Sequence, residues 1–248
     1  MLIKFEGIVL RARSYGESNQ VLTIFTEQQG KMAIMARGSK KTKNRFGAVT
    51  EPFTEAIFVC YKSTGMGTLS QADPIASHYR IRADLLLTSY GAYWLELIDK
   101  ATEENQSHRV LYHFLVEGLN RLEEGVDPDI LTRMMELQIL RTIGSAPILN
   151  RCASCTKEKV PIRFSVSQGG FLCQDCASED PYAFHITKPV AYIMRTLAEA
   201  PLNRLGHIQV KSETKEQVER LIHAFINEYF PVSLKSFTLL NQIRNTWK

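Results

Sequence analysis

Residues 20–36 read QVLTIFTEQQGKMAIMA. The side chains of residues 20–26 alternate with a period of two, which is typical of a β-strand whose two faces have different surroundings. Gln28-Gln29-Gly30 has the composition of a hairpin turn, and residues 31–36 continue as another strand. This stretch therefore predicts a β-hairpin and sets the β character of the N-terminal third of the chain.

Five strand-like segments of this kind fall within the first 80 residues. Turn-forming residues separate them, and one longer connection, residues 38–47, is polar and basic. Five short strands in so short a chain are typical of a small closed barrel, and the OB-fold is the nucleic-acid-binding barrel of that size. We predict such a domain over residues 1–80, with strands at 3–12, 20–26, 31–36, 54–61 and 67–72.

The pattern changes to helical spacing after Asp84. Apolar stripes run through residues 86–101 and 111–122, and Asp127-Pro128 has the composition of a helix start. The sequence therefore predicts an α+β protein in which the OB-fold barrel precedes an α-helical domain, residues 81–248. Further helices are expected from Thr187, from a cap at Ser212 or Thr214, and over residues 239–247, which end in Trp247.

Four of the five cysteines form two Cys-x₂-Cys pairs. Cys152 and Cys155 are followed, after 17 intervening residues, by Cys173 and Cys176. Each pair lets two thiolates converge on one ion, so this spacing is typical of a four-cysteine zinc site. We predict a zinc-finger module over residues 150–180, inserted in the helical domain and holding one structural Zn²⁺.

Two other interpretations of the cysteine pairs are weaker. A reducing compartment disfavours disulfides. A redox-active pair is disfavoured because there are two pairs and neither follows a strand in a βαβ setting. Four protein ligands leave no open coordination position, so the predicted zinc is structural rather than catalytic. Cys60 lies in a predicted strand and is expected to be a small buried hydrophobe.

The first 80 residues carry the excess positive charge of the chain. They contain 11 lysines and arginines against 6 aspartates and glutamates, whereas the remainder contains 19 against 20. No acidic residue lies between Glu27 and Glu51. A basic run in a small β domain is the electrostatic footprint of phosphate binding, and it is also the composition of a solvated loop face. The predicted DNA contacts are Lys31, Arg37, Lys40, Lys41, Lys43 and Arg45.

Aromatic side chains of the barrel have two possible roles. Bases of single-stranded DNA stack on exposed rings, whereas buried rings fill the barrel core. For Tyr15, Phe46 and Tyr61 the sequence leaves both roles open. For Phe5, Phe25 and Phe58 we predict core positions.

Composition and missing motifs exclude several classes of protein. With 44% hydrophobic and 23% charged residues, the chain has the composition of a globular protein. No apolar stretch approaches the ~20 residues that span a bilayer, and Lys4 and Glu6 interrupt the N-terminal apolar stretch. We therefore expect a cytoplasmic protein without a membrane partner. The sequence holds no nucleophile elbow, phosphate-binding loop, dinucleotide fingerprint or zincin helix, so we predict that it is not an enzyme.

Two stretches of the chain carry a resemblance to a known family. The first is RSYGESNQVL, residues 13–22, followed by Gly30-Lys31 and by RGSKK, residues 37–41. The second is ELQILRTIGSAPIL, residues 136–149, which leads into the first cysteine pair. In these motifs and in the order of strands, helices and cysteines, the sequence resembles the RecO family of bacterial recombination mediators over nearly its whole length. Many members of that family lack the cysteines, and this sequence keeps all four.

The resemblance implies an N-terminal OB-fold, a helical domain and a zinc finger inserted in it. Similar proteins bind single- and double-stranded DNA and anneal complementary strands. Together with RecR they remodel single-strand-binding protein and help RecA to load on gapped DNA, and they act at the nucleoid. They have no known catalytic centre.

The acidic, aromatic C-terminal tail of single-strand-binding proteins suggests one more partner site. A pocket of apolar residues rimmed by cations would suit this tail, and the helical domain is the more plausible place for it. The available cations are Arg195, Arg204, Lys211 and Arg220.

Two alternatives to a DNA-binding mediator stay open. In the first, the barrel and the zinc module only organise a protein complex and do not bind DNA. In the second, the protein is a zinc-dependent enzyme, which would require an open coordination position on the metal.

Overall fold

The first five strands of the chain close into a barrel. The structure, a computed structural model, describes residues 1–62, 65–204 and 209–246. The strand order around the barrel is β1-β2-β3-β5-β4, and all neighbours are antiparallel except β3 and β5. This confirms the predicted OB-like barrel. Its strands are β1 (Leu2–Tyr15), β2 (Asn19–Thr26), β3 (Gly30–Ala36), β4 (Glu55–Tyr61) and β5 (Gly67–Ala76).

The hairpin between β2 and β3 forms as the sequence predicts. Gly30 occupies the turn with φ of +66°, a conformation that a side chain disfavours. A Cβ atom at Gly30 would also lie 1.8 Å from the backbone oxygen of Gln106. Glycine is therefore required here both by the turn and by the close approach of a second backbone.

Alternation along the strands directs the apolar side chains into the barrel. Phe58 and Ile34 are fully buried, and Phe5 is nearly so. The predicted barrel-core positions are thus confirmed for Phe5 and Phe58. Phe25 is buried too, but outside this core, where its ring lies 6.0 Å from that of Tyr112. Other members of the barrel core include Val9, Leu22, Ile24, Met32, Phe46, Val49, Cys60 and Leu69.

Helices follow the barrel directly. They are α1 (Tyr79–Ala83), α2 (Leu85–Ala101) and α3 (Arg109–Glu123). The Asp84 carboxylate caps α2 by accepting a hydrogen bond from the backbone N–H of Leu87 at 3.0 Å. This cap satisfies one of the free N–H groups at the helix start and explains where the helical period begins in the sequence.

A second group of elements contains the cysteine pairs. It comprises α4 (Pro128–Thr142), β6 (Pro161–Ser165), β7 (Gly170–Cys173), β8 (Phe184–His185), α5 (Lys188–Glu199) and α6 (Ser212–Tyr229). The strands form a small sheet in the order β7-β6-β8. Asp127 caps α4 as predicted, with its Oδ1 atom 3.0 Å from the backbone nitrogen of Asp129. The predicted cap of α6 is wrong: the helix starts at Ser212, its cap position is Lys211, and no side chain caps it.

The last helix is α7 (Lys235–Thr246). It packs against α2, where the rings of Tyr93 and Phe237 lie 5.2 Å apart. Glu96 accepts a hydrogen bond from the backbone N–H of Ser236 at 2.8 Å. The helix thus starts before the predicted segment, and Trp247 lies outside the described residues.

The chain forms two compact units. One consists of Met1–Glu123 with Leu234–Lys248, and the other of Glu124–Ser233. The barrel lies in the first unit, and the cysteine pairs lie in the second. The predicted domains, 1–80 and 81–248, follow the change from strands to helices in the sequence, and the predicted module 150–180 lies within the second of them. These boundaries stay predictions. Among the described residues, no helix is long and apolar enough to cross a membrane.

Candidate nucleic-acid interface and cysteine cluster

The basic loop, residues 37–45, leaves the end of β3 and lies against the hairpin of β1 and β2. The backbone N–H of Gly38 donates to the Oδ1 atom of Asn19 at 2.8 Å, and that of Lys40 donates to the carbonyl of Ser18 at 3.0 Å. The buried hydroxyl of Ser39 donates to the carbonyl of Ala36 at 3.0 Å. The backbone of the loop is therefore anchored while its charged side chains face solvent. The exposed cations of the loop are Arg37, Lys40, Lys41, Lys43 and Arg45.

Lys31 differs from the other five predicted contacts. Its side chain is only 12% exposed, and its Nζ atom lies 3.1 Å from Oδ1 of Asp99. Asp99 also pairs with Arg11 at 3.0 Å. The structure thus brings Lys31 to an acidic side chain of α2 and leaves the five cations of the basic loop together.

Phe46 at the end of the basic loop is a core residue. It is 4% exposed and packs with the apolar interior of the barrel. The guanidinium of Arg45 lies 4.8 Å from the centre of its ring. The possibility that Phe46 stacks with bases is therefore wrong, because no face of its ring is open to a base.

Two tyrosines of the barrel are exposed instead. Tyr61 is 62% exposed and Tyr15 is 59% exposed. Tyr15 pairs with Asn19 across the β1–β2 hairpin, and Asn19 is the residue that binds the basic loop at Gly38. Tyr15 therefore lies beside the loop cations.

Strand register places Tyr61 in a row that the sequence did not reveal. Tyr61 pairs with Thr68, Thr68 with Met35, Met35 with Val21, and Val21 with Arg13. Directly paired residues share a face of the sheet, and both ends of this row are exposed. We call these five residues the outer row. Arg13 was missed as a candidate contact, since only the pairing of β1 with β2 shows that it shares a face with Tyr61.

The outer row and the basic loop are continuous. Met35 lies at the centre of the outer row, and Arg37 follows it by two residues along the chain. The basic loop therefore begins directly after the strand that carries Met35, the half-buried centre of the outer row.

The hydroxyl of Tyr112, on α3, meets two carboxyl groups in the same unit, of which that of Glu55 is buried and that of Glu6 is exposed. The hydroxyl of Tyr112 lies 3.2 Å from Oε1 of Glu6 and 3.3 Å from Oε1 of Glu55. Burial, and then the neighbouring Glu6 carboxylate, raise the pKa of Glu55. Burial and the two carboxylates likewise raise the pKa of Tyr112. The Glu55 carboxyl therefore holds its proton more tightly than a free glutamate does.

In the second unit, the four paired cysteines converge on one point. Their Sγ atoms all lie within 4.8 Å of one another, and Cys155 and Cys173 are 3.9 Å apart. Three of the side chains are buried and that of Cys155 is half-buried. Among the described residues, this is the one group of three or more histidine, cysteine, aspartate or glutamate side chains placed to hold a metal ion.

Local backbone geometry forms this cysteine cluster. The backbone N–H of Cys173 points at the Sγ atom of Cys152 at 3.5 Å, as is usual for thiolate ligands. Gly169, with φ of +77°, turns the chain into β7, and a Cβ at Gly170 would lie 2.2 Å from the carbonyl oxygen of Ile148. The two glycines are therefore needed to bring the second cysteine pair to the first.

The thiols of the cluster differ in acidity. Burial opposes ionisation of Cys152, but backbone N–H groups of Cys173, Cys155 and Ser154 outweigh it and lower its pKa to about 6. A buried group of sulfurs with one readily ionised thiol fits a soft divalent ion such as zinc. Outside the cluster, burial raises the pKa of Cys60 to about 12. Cys60 is thus the inert, buried side chain that the sequence predicts.

A cleft of about 350 Å³ opens beside the cluster in the second unit. One wall is the exposed face of α5, with Lys188, Tyr192 and Arg195 at positions i, i+4 and i+7. The other wall is the segment 158–161, which leads from the first cysteine pair into β6. Tyr192 is 69% exposed, so the cleft combines an open aromatic ring with cations.

The other cations considered for a peptide tail lie in different places. Arg220 stacks on Phe184, with 5.5 Å between the guanidinium carbon and the ring centre. Lys211 is exposed at the start of α6. The side chain of Arg204 lies outside the described residues. Of the three candidates whose side chains the structure describes, Arg195 alone lines the cleft.

Two family models match the chain in succession. One is described as "Recombination protein O N terminal" and matches residues 1–78, and the other as "Recombination protein O C terminal" and matches residues 82–237. The "DNA repair protein RecO" of Bacillus pumilus (strain SAFR-032) is 40% identical over 248 residues, which are 100% of this chain and 97% of that protein. The chain belongs to the RecO family. The protein of the same name from Bacillus subtilis (strain 168) is 40% identical over 245 residues, covering 99% of this chain and 96% of that protein.

These matches confirm the resemblance to the RecO family that the sequence motifs indicate. Both relatives are named for DNA repair. The barrel occupies the part matched by the N-terminal model, and the cysteine cluster lies in the part matched by the C-terminal model.

Proposed function

We propose that this RecO chain is a non-catalytic mediator that binds single- and double-stranded DNA on its barrel and anneals complementary strands. In this proposal it acts with RecR to help RecA load onto DNA covered by single-strand-binding protein. The observation that carries the proposal is the anchored basic loop with its five exposed cations, on a barrel that also exposes the rings of Tyr15 and Tyr61. We expect the protein to work in the cytoplasm, at the nucleoid.

The cations of the basic loop supply affinity without sequence preference. Each lysine or arginine that neutralises a phosphate releases a condensed counterion, so binding weakens as salt rises. Five contacts to a single strand correspond to a slope of about −3.5 in a plot of log affinity against log salt concentration. The anchored backbone of the loop lowers the entropy cost of presenting these charges.

The outer row supplies a path for unpaired bases. An exposed aromatic ring that stacks on a base contributes ~1–3 kcal/mol, independently of which base it is. Tyr61 lies at one end of the row and Arg13 at the other, with Met35 between them. Bases bound in this way stay partly accessible, and a strand with neutralised phosphates pairs more readily with its complement. Annealing by this route requires no hydrolysis of a nucleotide.

We assign one zinc ion to the cysteine cluster, held by Cys152, Cys155, Cys173 and Cys176. When bound, the ion supplies four metal–sulfur bonds that hold two chain segments together, and it has no open position for a substrate. Mutual proximity of the four sulfurs and burial of three of them support this structural role.

The cleft beside the cluster is the proposed site for the acidic, aromatic tail of single-strand-binding protein. Lys188 and Arg195 offer positive charge to carboxylates, and the ring of Tyr192 with the apolar side chains of Val160 and Pro161 offers contact to an aromatic residue. A labelled peptide of four aspartates ending in phenylalanine tests this assignment. We expect Arg195→Glu to abolish its binding and the exposed Lys211→Glu to leave it unchanged.

Salt dependence of DNA binding separates the mediator from the two alternatives. Fluorescence anisotropy of a labelled single strand is measured with the wild-type protein over a range of salt concentrations. The mediator binds and loses affinity with a slope of about −3.5, whereas a protein-interaction scaffold does not bind. Spectra of the cobalt-substituted protein distinguish the remaining alternative: four sulfur ligands support our proposal, and a water ligand would support a zinc enzyme.

A further inference from the structure

Burial distinguishes one residue of the cysteine cluster from the other three. Cys152, Cys173 and Cys176 are buried, while Cys155 is half-buried. Oxidation of cysteine follows thiolate character and exposure. Zinc ligation keeps the sulfurs as thiolates, so exposure decides which of them meets an oxidant first.

We propose that the cysteine cluster is a peroxide-sensitive latch in which Cys155 reacts first and then joins Cys173. The inference rests on the zinc site of the proposed function. The sulfurs of Cys155 and Cys173 are already 3.9 Å apart, so the second step needs only a small movement.

The chemistry balances with a peroxide as the oxidant. The Cys155 thiolate attacks one oxygen of hydrogen peroxide, the O–O bond breaks, and a sulfenic acid and hydroxide form. The Cys173 thiolate then attacks the Cys155 sulfur and displaces a second hydroxide, which gives the disulfide. Two sulfurs together lose two electrons, peroxide gains them, and both hydroxides take up protons to become water. The thiolates of Cys152 and Cys176 would then remain as ligands, too few to complete a tetrahedral site, and the bound ion would be released unchanged as Zn²⁺.

Loss of the metal releases one wall of the cleft. The segment from Thr156 to β6 is attached at its start by the backbone bond from Cys152 to the carbonyl of Lys157 at 3.0 Å. It is attached further on by the ion pair of Lys159 with Asp175, which lies between the second pair of cysteines. Both attachments depend on residues that the metal holds in place. Oxidation therefore loosens the segment 156–161 and with it the cleft, while the barrel strands contain none of these residues.

The test uses the full-length protein purified with zinc and treated with increasing hydrogen peroxide. A chromogenic chelator measures zinc release, alkylation with mass spectrometry orders the oxidised cysteines, and brief trypsin treatment reports the accessibility of Lys157 and Lys159. We expect release of all bound zinc, oxidation of Cys155 before any other cysteine, several-fold faster cleavage after Lys157 or Lys159, and reversal by thiol reductant with zinc. Cys60→Ala is the matched control and should behave as the wild type.

Three results would contradict the proposed peroxide sensitivity of the cysteine cluster. They are retention of zinc at peroxide concentrations that oxidise free cysteine in the same tube, oxidation of Cys60 or Cys176 before Cys155, and oxidation that leaves trypsin cleavage unchanged. Protein that carries no zinc before treatment would contradict the proposed metal site instead, and the zinc content is measured first for that reason. DNA anisotropy of the oxidised protein should be unchanged, and its loss would show that the effect reaches beyond the second unit.

Discussion

Lys31 Nζ and Asp99 Oδ1 lie 3.1 Å apart, so the basic run of the sequence divides into one structural cation and five exposed ones. Both side chains are largely buried, with 12% and 11% exposure. Lys31 therefore attaches β3 to the end of α2. The sequence predicts all six cations as DNA contacts. In the structure, Lys31 is instead placed to affect stability, and the other five remain available for DNA.

Replacement of Lys31 should lower stability and spare DNA binding. In Lys31→Ala, the carboxylate of Asp99 loses a charged partner while partly buried, which costs about 1–3 kcal/mol. Chemical denaturation measures the loss, and anisotropy with a labelled single strand measures affinity. Lys40→Ala, in the exposed loop, should show the reverse pattern. A Lys31→Ala protein of normal stability and weakened DNA binding would contradict this division.

Replacement of Tyr61 should affect DNA affinity, whereas replacement of Phe46 should affect stability. Tyr61→Ala removes an exposed ring, and we expect it to weaken single-strand binding by ~1–3 kcal/mol without a change in stability. Phe46→Ala removes a ring from the barrel core, and we expect it to cost about 3–5 kcal/mol of folding free energy. Thermal melts and anisotropy on both variants make the comparison. Equal DNA affinity of Tyr61→Ala and wild type would remove the outer row from the binding surface.

The cysteine cluster should support the fold of the second unit rather than DNA affinity. In Cys155→Ser a thiolate ligand is lost, and binding of the metal is linked to folding of the segments that hold it. We expect a lower melting temperature and less bound zinc, with DNA affinity unchanged in the protein that stays folded. Cys60→Ala is the control for removal of a cysteine as such. A larger effect on DNA affinity than on melting would make the cluster a direct DNA contact.

The raised pKa of Glu55 predicts that the stability of the protein depends on pH. This raised pKa means that the folded state binds a proton more tightly than the unfolded state, whose glutamate has the ordinary pKa of 4.5. The contribution of Glu55 is fully present below that ordinary value and is lost as pH rises through the raised one. Glu55→Gln should therefore flatten the fall in stability between those values and be relatively more stable than wild type at neutral pH. Urea denaturation over a pH series checks this, with the exposed Glu51→Gln as control, and identical profiles for Glu55→Gln and wild type would contradict the raised pKa of Glu55.

Local patterns in the sequence predicted the parts of the structure that depend on local chemistry. Period-two alternation predicted the hairpin around Gly30, Asp127-Pro128 predicted the start of α4, and the cysteine spacing predicted a cluster of four sulfurs. Each signal is contained in a few neighbouring residues. The cap of α6 was predicted wrongly because Ser212 and Thr214 have cap composition, whereas the helix starts at Ser212 itself.

The composition of the proposed DNA-binding surface depends on pairing between residues that are far apart in the chain. The sequence does not show that Asp99, on a distant helix, meets Lys31, or that the ring of Phe46 turns into the barrel. Arg13 joins Tyr61 on one face only through four strand pairings that close the barrel. The pairing of distant strands and helices therefore determines which of these cations and rings are exposed.

The most direct test of DNA binding by the basic loop is reversal of its charge. Arg37→Glu, Lys40→Glu and Lys41→Glu are combined in one protein, and the matched control combines Lys100→Glu, Lys211→Glu and Lys235→Glu at exposed positions elsewhere. Single-strand affinity is measured by anisotropy over a salt series, with circular dichroism to verify folding. We predict that the loop variant loses affinity by about tenfold or more and that its salt slope falls by about two, while the control keeps the wild-type slope. A folded loop variant with wild-type affinity and slope would contradict the account.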